Sequence, residues 1–294
     1  MIKLVKCKNC NLVQLCKDFN PKYLYGKDYG YRSGINKTMT EHLQRTAKML
    51  SKKTQIKKNE YVLDIASNDG TLLNGYNKNI IKVGIDPIIY KFKKFYKNIE
   101  HSINDFFSLK SIQKKKIKKK FKIITALSVF YDIKNPNNFL EDISKIIDKK
   151  NGIFLLEHTD LLSIIKKNLF DTICHEHLEY YSVEVIYNMV MKNDLRVFDI
   201  ETNNINGSGV RFFICHKDAK YKFKKDKIKK YIAQENRAGL KTKNCYKLFF
   251  SRVNKIRQKL KNKIKKIKFN GNTIHGYGAS TKGNVLLQFF KITK

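Results

Sequence analysis

The chain has 294 residues, enough to bury a sizeable core in one large domain or two ordinary ones. No window approaches the roughly 18 to 20 uninterrupted apolar residues of a membrane span, and the start, MIKLVKCKNC, lacks the apolar core of a signal peptide, so a cytoplasmic protein without a membrane partner is expected. The net charge of +36 points first to nucleic acid, but only seven of the 61 basic residues are Arg, the better fork for phosphate and base edges; Lys, Ile and Asn abound as AT-rich codon usage would produce, and no nucleic-acid partner is expected.

Cys7 and Cys10 form one CxxC, which is half of a four-ligand zinc site, and Cys16 offers a third thiolate; the sequence holds no second CxxC. With Cys174, Cys215 and Cys245 the cysteines lack the dense spacing of a disulfide scaffold, which fits a reducing compartment. The next segment, 19-FNPKYLYGKDYGYRSG-34, is rich in tyrosine and glycine and reads as a loop or lid. In 38-TMTEHLQRTAKML-50, Met39, Leu43, Ala47 and Leu50 recur at helical spacing behind Thr38 as N-cap.

Short apolar runs then alternate with helical stretches: 61-YVLDIA-66, 80-IIKVGID-86, 121-FKIITALSV-129 and 152-GIFLLEH-158 predict buried strands of a parallel sheet. The run 114-KKKIKKK-120 reads as a solvated face between two elements. Residues 195–202 and 209–216 predict an antiparallel hairpin, residues 222–268 a long Lys-rich helical region, and 273-TIHGYGASTKG-283 a strand entering a Gly-rich turn. The unit that begins at Thr273 has eleven residues after that turn in which to finish.

In 62-VLDIASNDGTLL-73 a strand ending in Asp64 passes through a small-residue loop into a helix expected at Thr71, the way open α/β sheets hold a nucleotide-like ligand. Asp86 ends the second strand 22 residues later, at the spacing of an acid that takes both ribose hydroxyls, and 104-NDF-106 (Asn104, Asp105, Phe106) is placed to meet an adenine. A dinucleotide loop would want GxGxxG; here Asn68 and Gly70 flank a carboxylate, Asp69, where a phosphate would sit. An anionic loop suits a cationic cofactor, and S-adenosylmethionine, with a sulfonium, an amino group and no phosphate, fits it; a plain strand-turn-helix with incidental acids is the alternative.

These motifs together resemble the sugar C-methyltransferases of the NDP-hexose type. 7-CKNCNLVQL-15 is similar to the end of that family's zinc-binding module, 67-SNDGTLL-73 to its S-adenosylmethionine loop and 171-DTICHEHLEYYS-182 to its active-site segment; 206-NGSGVR-211 is similar to its Gly-Ser-x-Arg turn and 276-GYGASTKGNVLL-287 to the start of its C-terminal domain. The resemblance implies a Rossmann-like class I methyltransferase α/β fold, with a zinc-module remnant over residues 1–25, the methyltransferase domain over 26–218 and a C-terminal Rossmann-like domain over 219–294, truncated at both ends. Two departures accompany it: Ala66 stands where many methyltransferases have glycine, a change that fits if φ there is negative, and Cys174 stands where sugar-active members have tyrosine.

Carbon methylation needs an enolate, hence a base, and histidine suits neutral pH. The resemblance points to His177 as that base, with Glu176 and His175 positioning the imidazole or substrate, Tyr180 beside them, and Tyr181 and Cys174 against a nucleotide-linked keto-sugar. Tyr29, Tyr31 and His158 are candidate donors to the enolate oxygen; Ser208 and Arg211 mark a substrate-binding turn in which Arg211 either clamps a diphosphate or forms an ion pair. His175 and His177, two apart, do not share a helical face as the histidines of H-E-x-x-H do, which argues against a helical zinc site. The competing functions are an RNA or DNA methyltransferase, against which 135-NPNN-138 lacks the second proline and aromatic of an amino-methylating clamp, and an inactive remnant that binds cofactor only.

Overall fold

The computed structural model describes residues 2–278 and 280–292. β1 (Leu4–Lys6) and β2 (Val13–Leu15) form an antiparallel hairpin, after which the tyrosine-rich segment makes one short helix, α1 (Pro21–Leu24). In α2 (Lys37–Thr54) the stripe of Leu43, Ala47 and Leu50 is buried; the cap is Asn36, whose side chain accepts from the Met39 N–H, rather than the expected Thr38.

Five parallel strands follow: β3 (Tyr61–Ile65), β4 (Ile81–Ile85), β5 (His101–Ile103), β6 (Phe121–Leu127) and β7 (Ile153–His158). The connections include α3 (Ile89–Phe92), α4 (Leu109–Lys114) and α5 (Pro136–Ile146), and the lysine run 114–120 lies between α4 and β6. Past β7 come α6 (Leu161–Lys167), the two-residue β8 (Glu179–Tyr180), α7 (Val183–Met191) and the antiparallel pair β9 (Leu195–Asn203) and β10 (Gly209–His216). The large sheet runs β5-β4-β3-β6-β7-β10-β9. The chain starts at its middle, builds outward on one side, then returns to build the other, and the point of return between β3 and β6 is where such sheets bind ligands.

Both faces of this sheet are covered, and its strands therefore read as continuous apolar runs. In β7 and β10, Phe154, Leu156, Phe212 and Ile214 join one core with α5 and α7, whereas Ile153, Leu155, Phe213 and Cys215 join the other with α2. A smaller core lies under α6 and the C-terminal helices.

Three local expectations are corrected. The loop after β3 passes through turns into one short 3-10 turn, Leu73–Gly75, instead of a helix beginning at Thr71. The Lys-rich region is two helices, α8 (Lys225–Arg237) and α9 (Lys243–Phe269), because Gly239 adopts φ +73° and Thr242 caps the second. Residues 273–278 form no strand, and the turn runs instead into α10 (Thr281–Phe290), whose Phe290 stacks on Phe170 at 5.1 Å; Ala279 of the quoted motif lies outside the described residues.

Candidate active site

A cavity of about 570 Å³ opens at the carboxyl ends of β3, β4 and β6. Asp64, Ala66, Asn68, Asp86, Asp105 and Phe106, all expected there from the sequence, line it, as do Tyr29 and Tyr31. Asp64 is buried and accepts from Thr125 Oγ1 at 2.6 Å; burial, with the nearby Asp86 adding, pushes its carboxyl up to about 7. Asp86 accepts the N–H groups of Asn68 and Ile88 at 3.0 and 2.9 Å, which fix it at the mouth of β4, and burial raises its carboxyl.

Asp69, Gly70 and Asn104 do not line the cavity. Asp69 instead accepts from Gly34 N–H at 3.0 Å and Thr71 Oγ1 at 2.6 Å and faces Arg32 at 3.4 Å, while Asn68 accepts from Ser33 N–H and donates to the Tyr31 carbonyl. The two side chains hold the tyrosine loop against the β3 loop; a Cβ on Gly34 would stand 2.6 Å from Asp69 Oδ2, so that contact requires glycine. Gly70 takes φ +75°, and Asn104 accepts from the Tyr90 N–H. The condition under which alanine would be unstrained at 66 is not met: Ala66 sits at φ +58°, held by its N–H bond to the Ile85 carbonyl, a conformation that costs an L-residue roughly 1 kcal/mol or more.

A second cavity, about 160 Å³, shares the wall residues Ser128 and Tyr131 with the first and is lined also by Thr172, His177, Glu179, Tyr180 and Lys282. His177 Nδ1 is 2.7 Å from the Thr172 carbonyl, which can only accept, so Nδ1 carries the proton and Nε2 is the basic nitrogen. Tyr131 lies against the imidazole at 4.3 Å between ring centroids. Burial, reinforced by the Lys282 charge, pushes His177 down to about 4, so the ring is neutral at pH 7 despite the acids around it. The segment is clamped by pairing of β2 with β8, Val13 opposite Tyr180 and Gln14 opposite Glu179, and by Leu178 N–H donating to the Tyr131 carbonyl at 2.9 Å.

Of the remaining residues of this segment, Tyr180 is buried with no partner for its hydroxyl among the described residues. Glu176 accepts from Thr281 Oγ1 at 3.2 Å, and burial pushes the Cys174 thiol up to about 11. His175 is exposed, edge-on to Phe19, and lines neither cavity. Tyr181 is fully buried and donates to Glu179, leaving it no access to a substrate. His158 is likewise interior, stacked on Phe212, with Nδ1 at the Thr159 carbonyl and Nε2 without a partner among the described residues. Ser208 accepts from Ser163 Oγ away from both cavities.

Arg211 resolves its two alternatives. It stands opposite Glu157 in the β10–β7 register and forms an ion pair with it, and its other donors meet Thr46 Oγ1 at 2.9 Å and the His42 ring. Glu157 also bonds His42 Nε2 at 2.6 Å. Burial would raise the Glu157 carboxyl, but His42 and Arg211 outweigh it and hold the group below its ordinary range. No fork remains for a diphosphate.

The sequence reading missed Tyr25, Tyr131, Asp132, Glu179 and Lys282 as site residues, although all five line one cavity or the other. Asp132 Oδ1 is shielded and has no partner among the described residues; burial drives its carboxyl well above the ordinary range, partly offset by the Tyr25 hydroxyl and reinforced by Glu176 and Glu179. Burial likewise pushes Glu179 up to about 8. The available signal for Lys282 was its place in the motif 276-GYGASTKGNVLL-287.

The cysteines near the start supply an incomplete zinc set among the described residues. Cys7 and Cys10 are free thiols across a turn, Cys10 and Cys16 are exposed, and the His/Cys/Asp/Glu trio close enough to share an ion among the described residues is Cys174, Glu176 and His177. No helix among the described residues is long and apolar enough to cross a membrane.

Residues 31–200 match the family described as methyltransferase domain, and residues 204–294 match the C-methyltransferase C-terminal domain. The C-methyltransferase NovU of Streptomyces niveus is 23% identical over 296 residues, covering 97% of this chain and 68% of that protein. Among solved structures, an S-adenosylmethionine-dependent methyltransferase from Clostridium acetobutylicum is 11% identical with a TM-score of 0.49, over 60% of this chain and 92% of the other. The magnesium protoporphyrin IX methyltransferase of Synechocystis is 10% identical with a TM-score of 0.44, over 66% and 90%.

Proposed function

The chain belongs to the methyltransferase-domain family and carries a match to the C-methyltransferase C-terminal domain, and from that premise we propose that it methylates a carbon next to the ketone of a nucleotide-linked sugar, using S-adenosylmethionine. The observation that carries this reading is the wall of Ser128 and Tyr131 that the two cavities share, with a neutral imidazole on one side and an acid-lined cofactor-sized space on the other.

The larger cavity fits the cofactor. Its wall carries Asp64, Asp86 and Asp105, whose carboxyl oxygens can accept from an ammonium or a hydroxyl, and Phe106 offers a flat apolar surface to a base. Asp86 would take the ribose hydroxyls and Asp64 the side toward the ammonium. The bound cofactor supplies a methyl already activated by its sulfonium, so the protein's own task is alignment and deprotonation. His177 Nε2 takes the proton from the carbon next to the ketone, the C–H pair becomes the enolate, and the oxygen receives a hydrogen bond. Tyr180, whose hydroxyl has no partner within the described fold, and Lys282, whose charge lies in the same cavity, are the donors. The division into residues 1–25, 26–218 and 219–294 gives each flank a part: β1 and β2 brace β8, and α10 delivers Lys282 and Thr281.

The test is methyl transfer from S-adenosylmethionine carrying a labelled methyl to a nucleoside-diphosphate keto-sugar. Label on the carbon adjacent to the ketone is expected. S-adenosylhomocysteine binding combined with label only in RNA or DNA would replace the substrate class, and no binding at millimolar ligand would remove the methyltransferase reading altogether.

A further inference from the structure

Cys174 Sγ, a Glu176 carboxylate oxygen and an imidazole nitrogen of His177 lie within 4.8 Å of one another. One thiol, one carboxylate and one imidazole, with a cavity beside the imidazole, make the donor set of a divalent zinc site of the open kind, in which three protein ligands leave a fourth position to water. Two outer contacts are already in place. The Thr172 carbonyl receives His177 Nδ1–H at 2.7 Å, the arrangement that orients metal-bound imidazoles and turns Nε2 outward, and Thr281 Oγ1 holds Glu176 Oε1 at 3.2 Å while leaving Oε2. The Asp132 carboxyl is close enough to act on both Glu176 and Cys174, whereas Lys282 opposes a cation.

We propose that Cys174, Glu176 and His177 bind a zinc-like divalent cation and that its occupancy withholds His177 from proton abstraction; the second clause rests on the proposed function, the first does not. Binding exchanges waters of the hydrated ion for three protein ligands, breaks the Cys174 S–H bond and forms S–metal, and releases that proton to solvent without oxidation or reduction.

Cobalt(II) titration of the full chain tests this, since a cobalt–thiolate bond gives a charge-transfer band and needs no methyl acceptor. The combined variant Cys7→Ser, Cys10→Ser, Cys16→Ser removes the competing N-terminal thiols. It is expected to keep one cobalt per chain with the thiolate band, displaced by one equivalent of zinc. Adding Cys174→Ser is expected to abolish the band, and adding the half-buried Glu176→Gln instead, a substitution milder for folding, to weaken cobalt affinity at least about tenfold. Loss of the band in the combined variant itself, its persistence after Cys174→Ser, or unchanged affinity in Glu176→Gln would each overturn the site. Undiminished methyl transfer with the cobalt site filled would overturn the second clause, whereas absence of methyl transfer in metal-free protein that still takes up cobalt would strike only the proposed function.

Discussion

Glu157 and Asp132 line the same cavity, yet they hold opposite charge states. Burial acts on both; Glu157 has His42 and Arg211 beside it and stays ionised, whereas Asp132 has a tyrosine hydroxyl and two further acids and is driven toward the neutral form. Pairing, not depth, decides which buried acid of the cavity stays ionised. The β7–β10 wall is a closed ion network that holds the sheet and α2 together, and the wall formed by residues 130–132 and 174–180 keeps unpaired acids, an unpartnered tyrosine and a neutral histidine.

Substitutions can break this contrast. The largest effect is expected for Glu157→Gln, which leaves Arg211 uncompensated and should cost about 3 to 5 kcal/mol in chemical denaturation; a loss below about 1 kcal/mol would show that the network is solvated. Asp132→Asn should do the reverse. Because the folded-state carboxyl is raised, its contribution is full below the unfolded value near 3.9 and is lost as pH rises toward the folded one, so the amide should stabilise the protein at pH 7 and more so at pH 8. Destabilisation that is independent of pH would contradict a neutral Asp132. Ala66→Gly should release the strain at φ +58° and raise stability by up to about 1 kcal/mol, with a lower stability counting against the left-handed backbone.

The smallest effect concerns His177. Its folded value near 4 lies below the unfolded value near 6.5, so its neutral form contributes stability that is complete above about 6.5 and lost as pH falls toward 4. The acid limb of kcat/KM should accordingly fall near 4 rather than 6.5, and Lys282→Met should move it upward by less than about one pH unit. An acid limb at 6.5 in the wild type would mean that the imidazole is solvated.

The sheet was legible because its strands are buried on both faces, and continuous runs such as 121-FKIITALSV-129 announce themselves. The ligand-facing ends were legible for the same reason: Asp64 and Asp86 follow directly from where strands stop. What was not legible depends on partners far apart in the chain. Asp69 looked like a ligand contact and is consumed by Gly34, Thr71 and Arg32. For Arg211 the sequence left a clamp and an ion pair open, because the partner, Glu157, comes opposite it only through the β10–β7 register. The pairing of β2 with a two-residue strand carries no periodicity, and Asp132 and Glu179 gain their unusual states only from the fold around them.

The central claim is that His177 removes a proton from carbon beside the cofactor cavity. It is tested most directly by exchange in D₂O, with S-adenosylhomocysteine bound so that no methyl can be transferred. The wild type should wash deuterium into the position next to the ketone of a nucleotide-linked keto-sugar, and His177→Gln should slow that exchange by about 10²- to 10⁴-fold while still binding S-adenosylhomocysteine. Exchange at the wild-type rate in His177→Gln would contradict the account.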